Sequence, residues 1–350
     1  MATFGKATYN AAKYASIRPT YPKQLYDFIF QYHARSPNAR WGAAVDLGCG
    51  TGQATTELTP FQRIIGVDPS NKMIEQAKQN VQATTLPNQV EYIQSSAEDL
   101  HFLKDGEVDL IISAQAAHWF DWTRLWPETS RVLRRDGSIA VWGYSEFRLS
   151  RYSSATPLIS NYSQGSNSET SLGPYWEQPG RNTVDNHFLD IPDPSSIVPG
   201  KFKDFERIFF VGDHHPTLPS PRPVVLRKNM TWNDLLEYLR TFSSLHTFHE
   251  RYPEDLKNPD GDIAVRFWGS LKELVSKQGG NVRDTDQVEV EWPLALILAR
   301  IPKGCVRSLR MVYPKPQPQR NALIKFRVRF MFGTSPTGCP SGQGRSCAPA

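Results

Sequence analysis

Short apolar runs alternate with segments of helical periodicity over the first 145 residues of the chain. The runs fall at 43–47, 63–68, 90–93, 108–113 and 138–142. Between them, apolar residues recur at helical spacing, as in 73–77 and 123–135. Strands that alternate with helices at this pitch predict a doubly wound α/β fold with a mostly parallel sheet. Ligands of such folds bind beyond the carboxyl ends of the strands.

The alternation weakens after the fifth predicted strand. Residues 148–203 are rich in Ser, Asn, Pro and aromatic side chains, and the stretch is too long for a simple connection, so we predict a lid-like insertion. Later segments predict a strand over 205–211, helices over 232–242 and 263–277, and a last strand over 288–301. Beyond residue 302 the chain is rich in Pro, Gly and Arg, and no clear core follows from it.

A glycine-rich loop follows the first predicted strand. Asp46 is followed by glycines at every second position, Gly48, Gly50 and Gly52, and a helix-compatible segment begins at once over 53–58. Glycine permits a tight turn and a close approach of backbone N–H groups to a ligand, and a helix N-terminus favours negative groups. The spacing differs from the Gly-x-Gly-x-x-Gly of dinucleotide-binding folds. The loop therefore predicts a nucleotide-like ligand of another kind.

Acidic residues follow the next two predicted strands. Asp68 lies 22 positions after Asp46 at a strand end, where a carboxylate suits the hydroxyls of a ribose. Its alternative role is to cap the helix that begins at Pro69. Ala97 and Glu98 follow the third strand and fit beside an adenine edge, unless they form only a solvated turn.

His118 follows the fourth predicted strand and precedes Trp119 and Phe120. At a strand's carboxyl end, the imidazole is placed to accept a proton or to donate a hydrogen bond, and the aromatic faces are placed to contact a cation. The alternative is a hydrogen-bonded structural histidine. We assign His118 as a candidate catalytic residue and no residue as a metal ligand.

The motif from Asp46 to Gly52, followed by Asp68, Ala97 and Glu98, resembles that of class I S-adenosylmethionine-dependent methyltransferases. Two further segments, 14–22 and 115–121, resemble the fungal trans-aconitate methyltransferase-like group. The resemblance covers about residues 8–302 and is loose over 148–260. It implies a Rossmann-like, seven-stranded sheet with an antiparallel last strand, and S-adenosyl-L-methionine as the cofactor.

The resemblance also implies which residues bind the cofactor: Asp46, Gly48, Gly50, Gly52, Asp68, Ala97, Glu98, Gln115, Tyr14 and Arg18. The glycines lie against the methionine part, and Asp46 holds its amine. Tyr14 and Arg18 cover the site from the N-terminal segment, where Arg18 pairs with a carboxylate of the cofactor or substrate or else lies on the surface. A carboxylate acceptor needs no base, because it is ionised at neutral pH, whereas a phenol or alcohol needs one, for which His118 is the candidate.

The predicted organisation is one methyltransferase domain over 1–302 and a tail over 303–350 outside the fold. Within the domain we distinguish the following parts: an N-terminal cap (1–40), the cofactor-binding half (41–147), an insertion and substrate-side region (148–260), and the last helix and strand (261–302). The net charge of +5 does not describe the domain, because the tail contains nine basic residues and no acidic residue. The remaining 31 basic and 35 acidic residues give the domain a charge of −4, which disfavours a nucleic-acid surface. Cys49 is the domain's one cysteine, so no disulfide framework is expected there.

The leading interpretation is a cytoplasmic enzyme that methylates a small molecule, either a carboxylic acid or the hydroxyl of a fungal secondary metabolite, with no nucleic-acid or membrane partner. An NAD-dependent oxidoreductase is disfavoured by the glycine spacing. A nucleic-acid methyltransferase is disfavoured by the acidic domain, and a non-catalytic regulator stays open. The region 148–260 carries no acceptor motif, and we expect Trp176, His187, Phe242 and His246 to be packed in the core rather than to line a site. The sequence does not indicate an oligomeric state.

Overall fold

The computed structural model describes residues 17–82, 89–279 and 281–303. Its strands are β1 (Ala43–Leu47), β2 (Arg63–Asp68), β3 (Gln89–Gln94), β4 (Val108–Ala114), β5 (Leu133–Tyr144), β6 (Arg148–Leu149), β7 (Lys203–Phe210), β8 (Leu226–Thr231), β9 (Gln287–Trp292) and β10 (Leu294–Arg300). Its α-helices are α1 (Lys23–Ala34), α2 (Asn71–Gln82), α3 (Trp122–Val132), α4 (Thr156–Gln164), α5 (Gly180–Asp185), α6 (Pro194–Ile197), α7 (Trp232–Leu239), α8 (Ser243–Arg251) and α9 (Ile263–Gly279).

A seven-stranded sheet in the order β3-β2-β1-β4-β5-β10-β7 forms the centre of the fold. The pairs β1–β2, β2–β3, β1–β4 and β4–β5 are parallel, and β10 is antiparallel to both β5 and β7. The predicted α/β fold, with a mostly parallel seven-stranded sheet and an antiparallel last strand, is confirmed.

The central strands are buried on both faces, which is typical of parallel sheets covered by helices. Every residue of β1, and every residue of β10, is buried. Successive side chains point to opposite faces, so Ala44 packs in one apolar layer and Val45 in the other, as Leu110 and Ile111 do in β4. The sheet thus lies between two apolar layers, and the edge formed by the carboxyl ends of its parallel strands is available for a binding site.

The single strand predicted over 288–301 is wrong. The structure has two strands there, β9 and β10, separated at Pro293. β9 pairs with β6 and β8 in a separate three-stranded sheet. Proline has no N–H to donate to a strand partner, so the chain changes sheets at this residue. The Ser145 N–H donates to the Pro293 carbonyl at 2.9 Å, and this hydrogen bond connects the junction of β9 and β10 to the chain after β5.

Other predicted elements differ in their bounds. The helix expected over 53–58 is a short 3₁₀ turn, Thr55–Glu57. The helix expected to end at 135 ends at Val132, because β5 begins at Leu133. The helix predicted over 232–242 ends earlier, at Leu239 of α7, and α8 begins separately at Ser243.

Residues 148–260 contain regular structure rather than one long loop. They supply α4 to α8 and the strands β6 to β8. The predicted strand in this region is confirmed as β7, at the sheet edge beside β10.

The division of the domain into four parts stays a prediction, and the tail over 304–350 lies outside the described residues. Within the described residues, no helix is long and apolar enough to cross a membrane.

Candidate active site

A cavity of about 740 Å³ lies at the carboxyl edge of the sheet. It brings together nine of the predicted site residues: Arg18, Asp46, Gly48, Gly50, Asp68, Ala97, Glu98, Gln115 and His118. Gly52 is not among the lining residues, and Tyr14 lies outside the described residues. The strand ends therefore place the predicted residues around one space, as the parallel sheet requires.

The glycine loop turns through backbone angles that favour glycine. Gly48, Gly50 and Gly52 have φ values of +68°, +55° and +86°. A Cβ on Gly48 would lie 2.4 Å from the Ala116 Cβ, and one on Gly52 would lie 2.4 Å from the Tyr92 hydroxyl, whereas one on Gly50 would meet nothing within 4 Å. Gly48 and Gly52 are thus required by packing, and Gly50 leaves its backbone open to the cavity.

Asp46 lies fully buried beside this loop. Its Oδ2 accepts a hydrogen bond from the Thr55 hydroxyl at 2.7 Å, and its Oδ1 has no hydrogen-bond partner among the described residues. Burial, opposed by the Thr55 hydrogen bond and assisted by the nearby negative charge of Asp68, raises the pKa of the Asp46 carboxyl to about 7. A buried acceptor without a partner is costly and suits a donor group of a ligand.

Asp68 supports the turn before α2, as the capping alternative requires, and its role toward the ribose hydroxyls stays a prediction. Its Oδ1 accepts from the Ser70 N–H at 2.9 Å near the start of α2, and its Oδ2 accepts from the Gly50 N–H at 3.0 Å. Burial raises the pKa of Asp68, while the two N–H groups lower it. Each carboxylate oxygen has two lone pairs, so acceptor capacity toward the cavity remains.

We predict that Asp68→Asn separates these roles. The Asn side-chain oxygen can still accept one backbone N–H, so we expect the free energy of unfolding to fall by only about 1 kcal/mol. Loss of the second acceptor oxygen should weaken S-adenosylmethionine binding about tenfold, measured by calorimetry. Asp27→Asn, on the exposed face of α1, is the control. Unchanged affinity in Asp68→Asn would refute the ligand role and leave only the capping role.

Ala97 and Glu98 line the cavity after β3. Glu98 Oε1 accepts from the Asp121 N–H at 2.9 Å, which joins this loop to the start of α3. Gln115 has φ +57° and exchanges hydrogen bonds with Tyr144, donating to its carbonyl at 3.0 Å and accepting from its N–H at 2.7 Å. The Gln115 amide thus joins the ends of β4 and β5, and its contact with the cofactor stays a prediction.

His118 lies in the 3₁₀ turn Ala117–Trp119, and its Nδ1 is buried with no hydrogen-bond partner within the described part of the chain. Burial lowers the pKa of His118 to about 3, with a smaller contribution from the positive charge of Arg181. The imidazole is neutral at physiological pH and a weak proton acceptor. The general-base role stays a prediction, and this low pKa is unfavourable to it.

Arg18 ties the N-terminal segment to the far wall of the cavity. Its guanidinium donates to the Tyr144 hydroxyl at 3.2 Å and to the Thr241 carbonyl at 3.1 Å. It also lies over the rings of Tyr238 and Phe242, 5.2 and 5.5 Å from their centroids. The predicted position of Arg18 beside the site agrees with the structure, and pairing with a ligand carboxylate stays a prediction.

One side of the cavity has no signal in the sequence. We call it the acceptor wall and define it by four residues: Glu146, Ser163, Trp176 and Arg181. Trp176 and Phe242 pack with the core as expected, and they also line the cavity, which was not expected. His187 is buried against His215, in agreement with the packing expectation, whereas His246 is partly exposed and pairs with Glu250, so its packing in the core is not confirmed. No motif marks the wall, because its members come from separate loops and helices.

Comparisons with known proteins agree with this geometry. A family model described as a methyltransferase domain matches residues 45–141. The probable S-adenosylmethionine-dependent methyltransferase CRG1 of Saccharomyces cerevisiae is 29% identical over 83% of this chain and 96% of its own length. The methyltransferase cfoB of Aspergillus candidus is 25% identical over 82% of this chain and 92% of its own.

A solved structure, titled a putative type II methyltransferase from Anaeromyxobacter dehalogenans, has a TM-score of 0.58 and 25% identity to this chain. The likeness covers 82% of this chain and 99% of that one, so it extends beyond the glycine-loop half to the region around the acceptor wall. The chain is accordingly a class I S-adenosylmethionine-dependent methyltransferase.

Proposed function

We propose that this methyltransferase acts on a small molecule and methylates a carboxylate oxygen. The observation that carries the proposal is Arg181 in the acceptor wall. Its Nε donates to Asp185 at 2.8 Å and its guanidinium lies 4.3 Å from the centroid of the Trp176 ring, while its buried Nη2 has no hydrogen-bond partner in the described residues. An arginine N–H group left over after pairing suits a carboxylate acceptor.

The shape and charge of the site support a small acceptor. A volume of about 740 Å³ lies within the range of roughly 300–1,000 Å³ that is usual for small-molecule sites. Aromatic residues of the wall and its surroundings, Trp176, Tyr238 and Phe242, suit an organic body beside the reacting group. Methylation of a secondary-metabolite hydroxyl is the second candidate, but the low pKa of His118 disfavours that residue as its base.

The cofactor side fits S-adenosylmethionine. The unpartnered Oδ1 of Asp46 suits the methionine ammonium, the open backbone of Gly50 suits its close approach, and Asp68 retains acceptor capacity for the ribose hydroxyls. Ala97 and Glu98 are placed to flank the adenine. Arg18 is placed to close the site over the ligands.

When bound, S-adenosylmethionine supplies a sulfonium methyl whose C–S bond breaks as the acceptor oxygen attacks, the electron pair staying on sulfur, so that a carboxylate becomes a methyl ester without transfer of a proton. The chain therefore has to orient the acceptor and exclude water. Arg181 orients the carboxylate, and the aromatic side chains of Trp176, Tyr238 and Phe242 exclude water. His118 stays neutral beside the reacting groups.

Within the family, we assign the chain to the fungal trans-aconitate methyltransferase-like group because of the segments 14–22 and 115–121, and we assign it to the cytoplasm and to secondary metabolism.

The test of the function is incubation with methyl-labelled S-adenosylmethionine and a panel of carboxylic acids and phenols. Methyl esters release labelled methanol in base, whereas methyl ethers do not. Label retained in base would refute carboxylate methylation, and cofactor binding without any product would favour the regulator.

We predict that Arg181→Gln raises the KM for carboxylate acceptors at least tenfold and leaves the affinity for S-adenosylmethionine unchanged. Arg181→Lys keeps the charge but loses the planar fork, so we expect an intermediate KM. Steady-state kinetics and calorimetry give the two values, and cofactor affinity also shows whether each variant is folded. An equal KM for wild type and Arg181→Gln would contradict the assigned role.

A further inference from the structure

Glu146 supplies the acceptor wall with a negative charge, opposite to that of Arg181, and one oxygen of its carboxylate has no hydrogen-bond partner among the described residues. The residue is 6% exposed and lines the cavity. Its Oε1 pairs with Arg148 at 2.7 Å and accepts from the Ser160 hydroxyl at 2.6 Å. Its Oε2 is buried and has no hydrogen-bond partner among residues that the structure describes. Among the described residues, Arg181 thus provides the wall with an unpartnered donor and Glu146 provides it with an unpartnered acceptor.

Ser163 adds a third polar atom. Its hydroxyl is buried and unpartnered within the described ranges, and the residue is 1% exposed. The position of this part of the wall is fixed, because the Trp176 indole N–H donates to the Ser163 carbonyl at 2.7 Å. A buried polar group without a partner is destabilising, so a ligand that satisfies several such groups at once is favoured.

The charges of this wall do not favour a polyanion. Arg181 is paired with Asp185, and Arg148 is paired with Glu146, so the four ions sum to zero. Glu177 also lines the cavity and adds a negative charge. A second carboxylate of the acceptor would lie near Glu146, and like charges at close range disfavour both ionised forms.

We infer that the acceptor carries one carboxylate, bound by Arg181, and a hydroxyl or N–H donor, bound by Glu146 with Ser163 beside it. The inference rests on the proposed carboxylate methylation and narrows its substrate class from carboxylic acids in general to hydroxy or amido monocarboxylates. It disfavours tricarboxylates such as trans-aconitate, so the likeness of segments 14–22 and 115–121 to the group named after that acceptor would not extend to the acceptor itself. The two contacts hold the acceptor at two points, so Glu146 is a specificity-determining residue that binds the acceptor away from the reacting atoms.

Binding to the enzyme saturated with S-adenosylhomocysteine tests this inference without turnover. The probes are phenyl-substituted alkanoates that carry a hydroxyl at C2, C3 or C4, each matched with its deoxy analogue and with a phenyl-substituted dicarboxylate. We expect at least one hydroxy acid to bind about tenfold more tightly than both of its matches in calorimetry. If no hydroxy acid binds more tightly than its matches, or if the dicarboxylate binds most tightly, the inference is wrong.

Glu146→Gln keeps the size of the side chain and removes its charge. We expect the preference for the hydroxy acid over the dicarboxylate to fall about tenfold in this variant. Glu169→Gln, on an exposed turn, should leave the preference unchanged. An undiminished preference in a Glu146→Gln protein that still binds S-adenosylhomocysteine would overturn the role of Glu146. If the variant does not fold, the comparison of probes on the wild type still decides the substrate class.

Treating the labelled product with base, which releases methanol from methyl esters, separates this inference from the proposed function. Base-labile product from plain carboxylic acids, with no preference for hydroxy acids, would uphold the function and overturn the inference. Base-stable product from phenols alone would overturn both. Base-labile product with a preference for hydroxy acids that depends on Glu146 would support both.

Discussion

Asp46→Asn should lower the affinity for S-adenosylmethionine about a hundredfold. The carboxylate is fully buried, and its Oδ1 has no hydrogen-bond partner in the described part of the chain. We assign this oxygen to the methionine ammonium, and removing one partner of a buried ion pair costs about 3–5 kcal/mol, enough for this loss. The Asn oxygen can still accept from Thr55, so the glycine loop should keep its geometry. Calorimetry measures the change.

The same residue predicts a pH dependence with a definite sign. Asp46 has a reference pKa of 3.8 and a pKa of about 7 in the folded chain. Between these values the folded chain holds a proton that the unfolded chain has released, so the contribution of Asp46 to the free energy of unfolding falls as the pH rises from about 4 to 7. The ammonium needs the ionised carboxylate, so cofactor affinity should rise over the upper part of this window.

The control for both effects is the comparison of wild type with Asp46→Asn at each pH. Contributions from other titrating groups are shared by the two proteins, so the difference reports Asp46. We expect the pH dependence of cofactor affinity near pH 7 to be smaller in the variant. An affinity within threefold of the wild type, with the same pH profile, would refute the assignment of Asp46 to the ammonium.

Gly48→Ala should destabilise the fold by about 3 kcal/mol and abolish measurable cofactor binding. Gly48 has φ +68°, and a left-handed conformation costs other residues roughly 1–2 kcal/mol. The added Cβ would also lie 2.4 Å from the Ala116 Cβ, in a chain segment held at the end of β4, and such overpacking costs about 1–3 kcal/mol. Urea denaturation measures the loss of stability.

Gly50→Ala is the matched control within the same loop. Gly50 has φ +55°, but its Cβ would meet nothing within 4 Å. Only the conformational cost remains, so we expect a loss of about 1 kcal/mol. Equal stability losses in the two variants would show that the contact with Ala116 does not determine the choice of glycine at position 48.

The cofactor side could be predicted from the sequence because its determinants are local. Buried strands are apolar runs, and each predicted ligand residue lies near or just beyond the carboxyl end of one, so the parallel arrangement brings Asp46, Asp68, Glu98 and His118 to one edge. The glycine spacing likewise reports a backbone conformation that few other residues adopt.

What the local pattern could not predict is which sheet each strand joins. β9 alternates valine with glutamate and β10 is apolar up to Arg300, but only the sheet pairing shows that the two strands belong to different sheets. The role of Gln115 also depends on pairing, because its amide is occupied by Tyr144, a residue of the neighbouring strand.

The sequence by itself determined the fold class, the glycine loop and the strand-end acids, since these depend on periodicity and on backbone conformation within a few residues. The tertiary structure alone decided the acceptor wall. Glu146, Ser163, Trp176 and Arg181 lie up to 35 positions apart without shared periodicity, and each is an ordinary residue in its own segment. The unpartnered polar atoms of Glu146, Ser163 and Arg181 become informative only when folding buries them beside one cavity, because burial is what makes a missing partner costly.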